Sequence, residues 1–391
     1  MRVSIVQEQR FIHLANGETY DDGHSTYELW QRYLSHFEEV QVIGRSRLVN
    51  VLPPGYRRVD GPGVKVFHLP DYHGPESFVL RVLPLLSRLM QAFEPGEAVI
   101  LRVSGTLASL SAPLLRWRRQ PFAVEVINDP AQVFSRGGVQ HPLRRLFRWG
   151  YASQTRWQCR VSSASLYVTR RALQEAYPSR PGTPVFGVSD VRLPPEAYAS
   201  ARVYSGPGLR AVMVGSLQHW YKGPDIAIRA LAQLRAQGLP VTLRIVGQGL
   251  KRPECEALAR ELGVEHACTF VGQRPTPEAV RRDLAQADLF VMPSRTEGLP
   301  RALVEAMAQG LPAVGSRVSG IPELLPEDAL VTPGSAEEFA EVWGAWARDP
   351  VRLTAGSQRN FAEARTYAEP ILSAERGDFL KAVRRATQAR G

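Results

Sequence analysis

The chain has 391 residues, 44% hydrophobic and 22% charged, which is enough to bury a sizeable core in two domains. No apolar run reaches the length of a membrane span, and the opening MRVSIVQEQR lacks the long apolar stretch of a secretory signal and reads as a strand. The net charge of +10 leaves nucleic acid, a membrane surface and an anionic substrate open as partners, although all but four of the 48 basic residues are arginine, a bias that points to genome composition or thermal adaptation before function.

In chain order, residues 1–6 predict a first strand. The polar, turn-rich stretch 7–25 follows, and then a helix over 26–37 with Ser25 as its N-cap. Loops between a first strand and a helix start are common ligand sites in Rossmann-like units, so Gly23, His24 and Ser25 are a candidate acceptor or phosphate loop. A plain turn is the equal alternative, since no GxGxxG is present. Further strands are expected at 40–44, 64–69, 98–103 and 122–127. Helices are expected at 77–92, with Pro84 inside, and at 106–116. Such alternation predicts a parallel sheet covered on both faces, with ligands beyond the carboxyl ends of the strands. Asn128 and Asp129 stand at one such end.

Residues 130–174 contain eight arginines and no Asp or Glu, with Trp and Leu interleaved. Arg144, Arg145 and Arg148 make this a candidate face for an anionic membrane or a lipid-diphosphate acceptor. A solvated face is the plain alternative, and a nucleic-acid patch the less favoured rival. A strand at 166–168, a helix at 171–176 and a strand at 185–188 close this half. The Pro/Gly/Ser-rich stretch 178–208 reads as the linker.

The alternation then restarts, with strands at 209–214, 241–246 and 268–271 and helices at 224–237, 253–262 and 276–287. The Gly215-Ser216, Gly247-Gln248-Gly249 and Gly272-Gln273 steps fall at strand ends. Lys222, one of the four lysines, precedes Gly223-Pro224 at a helix start, where free N–H groups favour a diphosphate. Helices at 336–348 and 374–385 end the chain. Cys159, Cys255 and Cys268 are scattered without metal-ligand spacing and are expected as reduced thiols of a cytoplasmic protein, with a peripheral place at the inner membrane face if the basic segment docks there.

The stretch ADLFVMPSRTEGLPRALVEAMAQGLPAVGSRVSGIPELL, residues 287–325, reads strand, loop, helix, strand. Glu297 lies in its loop and Glu305 eight positions on, inside the helix. Pro293-Ser294, Glu297-Gly298, Glu305 and Ala306-Met307-Ala308 through Pro312 together resemble the donor-sugar motif of the retaining nucleotide-sugar glycosyltransferases of family 4. The resemblance implies an α/β GT-B fold, two Rossmann-like domains facing across a cleft. Residues 1–190 would form the acceptor domain and 205–365 the donor domain, with a C-terminal helix in 366–391 packing back on the first. It further implies that Glu297 contacts the donor sugar, Glu305 the ribose, and Lys222 the leaving diphosphate. Gly215, Ser216, Gly272, Gln273, Gly298, Leu299 and Pro300 would line the donor site, with Asp129 near the transferred sugar.

The chain departs from the family's pattern where Ser216 replaces an arginine and Asn128 a histidine. Arg295 or Arg301 could supply the missing charge. No Asp-x-Asp clamp occurs, so neither metal nor cofactor is expected. The expected partners are a nucleotide-sugar donor and a glycan or lipid-linked acceptor, in bacterial polysaccharide or glycolipid assembly. A GT-B-like epimerase or phosphorylase, and a nucleic-acid-binding protein, are the competing readings.

Overall fold

Short apolar runs rich in Val, Ile and Leu become the strands of two separate sheets, each buried under helices. The computed structural model describes residues 1–23, 25–133 and 143–389. In the first half the strands are β1 (Arg2–His13), β2 (Thr19–Asp21), β3 (Glu39–Leu48), β4 (Arg57–Arg58), β5 (Val64–Pro70), β6 (Ala98–Val103), β7 (Ala123–Val126), β8 (Ser165–Tyr167) and β9 (Val185–Gly187). Seven run parallel in the order β5-β3-β1-β6-β7-β8-β9, and β2 and β4 form an antiparallel flap on the far end of β1. The helices are α1 (Tyr27–Gln31), α2 (Gly74–Ala92), α3 (Thr106–Trp117), α4 (Pro130–Val133), α5 (Arg144–Val161) and α6 (Ala172–Ala176). Two expectations were off here. β1 runs on to His13 through an irregularity between Val6 and Arg10, and α1 ends at Gln31, after which residues 32–36 form turns.

In the second half β10 (Arg210–Val214), β11 (Thr242–Val246), β12 (Cys268–Gly272), β13 (Leu289–Met292), β14 (Ala313–Ser316) and β15 (Leu330–Val331) make a parallel sheet in the order β12-β11-β10-β13-β14-β15. Its helices are α7 (Pro224–Ala236), α8 (Arg252–Glu261), α9 (Pro277–Ala285), α10 (Arg301–Ala308), α11 (Ile321–Leu324), α12 (Ala336–Arg348), α13 (Pro350–Arg365) and α14 (Glu369–Gln388). The strand order reverses at β10/β13, and the crevice beyond the carboxyl ends at such a reversal is where open α/β sheets bind ligands. α14 crosses back onto the first sheet, packing on β6 and β9, with the Phe379 and Phe186 rings 5.8 Å apart.

The halves also meet near the reversal. The Glu323 carboxylate accepts from the backbone N–H groups of Arg170 (2.7 Å), Arg171 (3.0 Å) and Ala172 (2.6 Å) at the start of α6. The Arg170 guanidinium donates to Thr366 Oγ1 at 2.9 Å. All three cysteines are free, and burial pushes each thiol up to about 12. No helix among the described residues is long and apolar enough to cross a membrane.

Candidate active site

The loops after β10 and β13 are pressed together at the reversal. Gly223 carries φ +72°, and a Cβ there would sit 2.0 Å from the Pro293 carbonyl oxygen, so only glycine fits. The clamp is reinforced by Arg295, which donates to both Asp225 carboxylate oxygens (2.8 and 2.6 Å) and to the Trp220 carbonyl (2.7 Å). Held this way, a 3-10 turn at Trp220–Lys222 brings Lys222 over Gly215 and into contact with the loop that carries Glu297.

Lys222 Nζ donates to both oxygens of Glu297, at 2.7 and 2.9 Å, and Ser294 Oγ donates to Glu297 Oε1 at 2.7 Å. The two side chains are 15% and 7% exposed. The carboxylate is therefore not free but holds the lysine from across the loop pair. Glu305 stands one helical stretch away on α10. Burial raises its pKa, and Arg301 and Arg281 offset that only in part.

These groups line a cleft of about 1330 Å³ that reaches both halves: Asn128 and Val133 on one wall; Gly215, Ser216, Lys222, Glu297, Gly298, Leu299, Pro300, Arg301 and Glu305 on the other. The walls touch at Gly298, where a Cβ would meet the Ile127 carbonyl oxygen at 2.4 Å. His219, Trp220, Tyr221 and Lys251 add to the second wall. The adjacency of Trp220 and Tyr221 to a rare lysine was their only signal in the sequence.

Other expected residues fall elsewhere. Asp129 accepts from Tyr177 Oη and from the Ala131 N–H at 2.9 Å, capping α4 rather than lining the cleft; Asn128 faces the cleft, accepting from Ser104 Oγ at 2.9 Å. Gly272 ends the outermost strand β12 and Gln273 follows it, and neither is on this wall. Ser216 Oγ accepts from the Gln218 N–H at 3.2 Å, and Arg295 is committed to Asp225, so Arg301 is the arginine of the two that faces the cleft without an ion pair to a carboxylate. In the first half the Asp21 carboxylate accepts from the Gly23 N–H (3.1 Å) and the Ser25 N–H (2.7 Å), and Thr26 rather than Ser25 takes the cap position of α1. His24 lies outside the described residues. Arg145 and Arg148 are exposed on α5 and Arg144 is half-buried.

The sequence model described as glycosyl transferases group 1 matches residues 208–349, the span that carries the cleft's second wall. The chain is 25% identical over 328 residues to Protein CapJ of Staphylococcus aureus, covering 83% of this chain and 82% of that protein. It is 37% identical over 130 residues to the amylovoran biosynthesis glycosyltransferase AmsK of Erwinia amylovora, covering 31% of this chain and 32% of that one. Among solved structures, Anabaena HepE in complex with UDP and glucose matches at TM-score 0.64 and 18% identity over 98% of this chain and 100% of that chain. WaaG, a glycosyltransferase involved in lipopolysaccharide biosynthesis, matches at TM-score 0.64 and 18% identity over 96% and 98%. Over residues 208–349 the chain matches the group 1 glycosyltransferases.

It is a retaining nucleotide-sugar glycosyltransferase of the GT-B fold, the family of the sequence resemblance. For such a transferase the cleft wall supplies what departure of a diphosphate needs. A cation, Lys222, stands just before the start of α7, and the carboxylates of Glu297 and Glu305 stand on the same wall.

Proposed function

We propose that the transferase moves a hexosyl group from a nucleoside-diphosphate sugar, the nucleotide lying on the second half, to a glycan or lipid-linked hydroxyl presented by the first. The bidentate Lys222–Glu297 pair in a cleft shared by both halves carries this reading. On donor binding the diphosphate draws Lys222 from Glu297, and the freed carboxylate accepts from sugar hydroxyls. Glu305 accepts from the ribose. The bond from the anomeric carbon to the phosphate oxygen breaks while the acceptor oxygen bonds from the same face. The acceptor's proton passes to the departing diphosphate, whose charge Lys222, the α7 N-terminus and Arg301 stabilise. Asp129 holds the turn that aims Asn128.

UDP sugars are the first donors to test, because solved relatives of the same fold are complexes with UDP and with UDP-glucose. The relative acting in amylovoran biosynthesis favours a bacterial polysaccharide product. A panel of UDP and GDP sugars screened by thermal shift, followed by free nucleotide release with and without glycan extracts, tests the reading. Acceptor-dependent release supports it. An absence of stabilisation by every sugar nucleotide, with salt-dependent binding to nucleic acid instead, would reject it.

A further inference from the structure

Two segments cross between the halves, the linker after β9 and α14, and a second pocket of about 260 Å³ lies where they meet the turns after α1. Arg32, His36, Ser189, Arg192 and Arg376 line it. Beneath it the Asp190 carboxylate is shared by three guanidinium groups. Arg102 Nη2 donates at 2.6 Å, Arg32 Nη2 at 3.0 Å and Arg376 Nη2 at 3.3 Å. Burial alone would raise the pKa of Asp190, but Arg102, Arg32 and Arg376 hold it far below the usual carboxylate range.

One carboxylate shared three ways does not use up its donors. Arg376 is 5% exposed, yet among the described residues its Nη1 has no hydrogen-bond partner, and neither does the buried Arg32 Nε. Buried guanidinium N–H groups are rarely left unpaired. The charge is also uneven. On the pocket wall Arg32, Arg192 and Arg376, with His36, face one carboxylate, Glu369, while Asp190, Glu125, Glu28 and Asp378 lie nearby with Arg102, Lys381 and Arg384. The pKa of Arg376 is lowered by burial and then by Arg32. Three arginine side chains lining one half-enclosed concavity, two of them with a buried donor left unpaired, are the recognition chemistry of a small multidentate oxyanion.

We propose that this seam binds inorganic phosphate or the phosphate group of a small monoester, with Arg376, Arg32 and Arg192 as its ligands. The pocket lies below the size of about 300 Å³ at which drug-sized ligands begin to fit, which excludes a nucleotide. Because Ser189, Asp190 and Arg376 sit on the two crossings, the anion fastens linker to C-terminal helix, away from the donor cleft.

Phosphate could also enter the donor cleft, so the test uses the full chain with Lys222→Ala. It is titrated with inorganic phosphate and separately with glucose 6-phosphate at constant ionic strength, by calorimetry and thermal unfolding. Saturable one-to-one binding with a rise in Tm is expected, and Arg192→Gln and Arg376→Lys should each weaken it at least tenfold. Tighter binding of the sugar phosphate identifies a monoester as the ligand, and equal binding identifies free phosphate. Heat no different from that of chloride, or binding unaltered by Arg192→Gln, overturns the proposal. Arg192 is exposed, so its variant keeps the test open should Arg376→Lys fail to fold.

Discussion

Lys222 and Glu297 are 75 positions apart and meet at 2.7 Å, so each is a half of one device. In the proposed mechanism, removing the lysine takes away the cation for the leaving diphosphate, and it leaves a nearly buried carboxylate whose remaining partner among the described residues is Ser294. Lys222→Ala is expected to lower kcat by about 10²–10³-fold, the usual loss when one preorganised charge-stabilising donor is removed. Stopped assays of nucleotide diphosphate release measure it, and unchanged turnover would remove Lys222 from the chemistry. Glu305 offers a second prediction with a definite sign. Its pKa is raised by burial, so the fold favours the protonated acid, and ionising it costs stability as pH rises beyond the range of an ordinary glutamate, about 4.3. Ribose hydroxyls donate to the ionised form. Nucleotide affinity should therefore weaken on acidification at a higher pH than an ordinary glutamate would give, and Glu305→Gln should bind weakly with no such dependence. Calorimetry across about pH 4.5 to 7 tests this; matching profiles for the two proteins would reject the ribose role.

At the scale of elements, α5 and α2 hold apolar side chains out of the core. Leu146 and Trp149 (70% exposed) stand among Arg144, Arg145 and Arg148, and Val79, Leu80 (82% exposed) and Leu83 stand on α2. Both helices start at the carboxyl-end side of the first sheet, the side of the cleft, so a bilayer meeting this face would present a lipid-linked acceptor at its mouth. Basic residues contribute about 1 kcal/mol each near an anionic leaflet, so replacing the three arginines by glutamine should weaken binding to anionic vesicles about 100-fold. Co-sedimentation measures it, and equal binding to neutral vesicles would sink the membrane role. How far elements could be read in advance follows the same logic of patterning. The strands of the second sheet other than the two-residue β15 were legible because each is a short apolar run ended by Gly, Pro or Ser. α13 was not, because its buried face is Leu353, Gly356, Ser357, Asn360 and Ala364, helical in spacing but mostly small or polar. Its one readable signal was Asp349-Pro350, where the aspartate caps the Val351 and Arg352 N–H groups. The far half of β1 was hidden because the polar residues 7–10 interrupt the apolar run before Phe11 and Ile12, which are buried where the strand pairs with β2 and β3. In the site the motif residues were legible but their contacts were not. Nothing local in the sequence could say that Glu297 would hold Lys222, or that Asp129 would turn to Tyr177 and leave Asn128 facing the cleft.

For the whole molecule, activity depends on how the two halves hold together across the cleft. Gly298 abuts the Ile127 carbonyl beside the site, α14 and the linker tie the back, and Glu323 ties the front. The Glu323 tie is the simplest to loosen without touching the chemistry. One carboxylate accepts three N–H groups at the start of α6, where the unpaired amides of a helix end already favour negative charge. Hydrogen bonds to a charged group contribute about 1.5–3 kcal/mol each in isolation, but a set sharing one acceptor contributes less than its sum. Glu323→Ala should therefore shift the molecule toward a more open arrangement while leaving Lys222, Glu297 and Glu305 in place. Small-angle scattering without donor should give a larger radius of gyration than for the unaltered protein, and donor should bring the two closer together. The catalytic consequence is a fall in kcat/KM of about tenfold, on the order of 1.4 kcal/mol, appearing mainly in the KM for donor because closure has to be supplied by binding. Glu323→Gln, which keeps an acceptor oxygen, should recover part of the loss. A variant with normal scattering and normal KM would mean that the back of the seam alone, linker and α14, fixes the spacing of the halves.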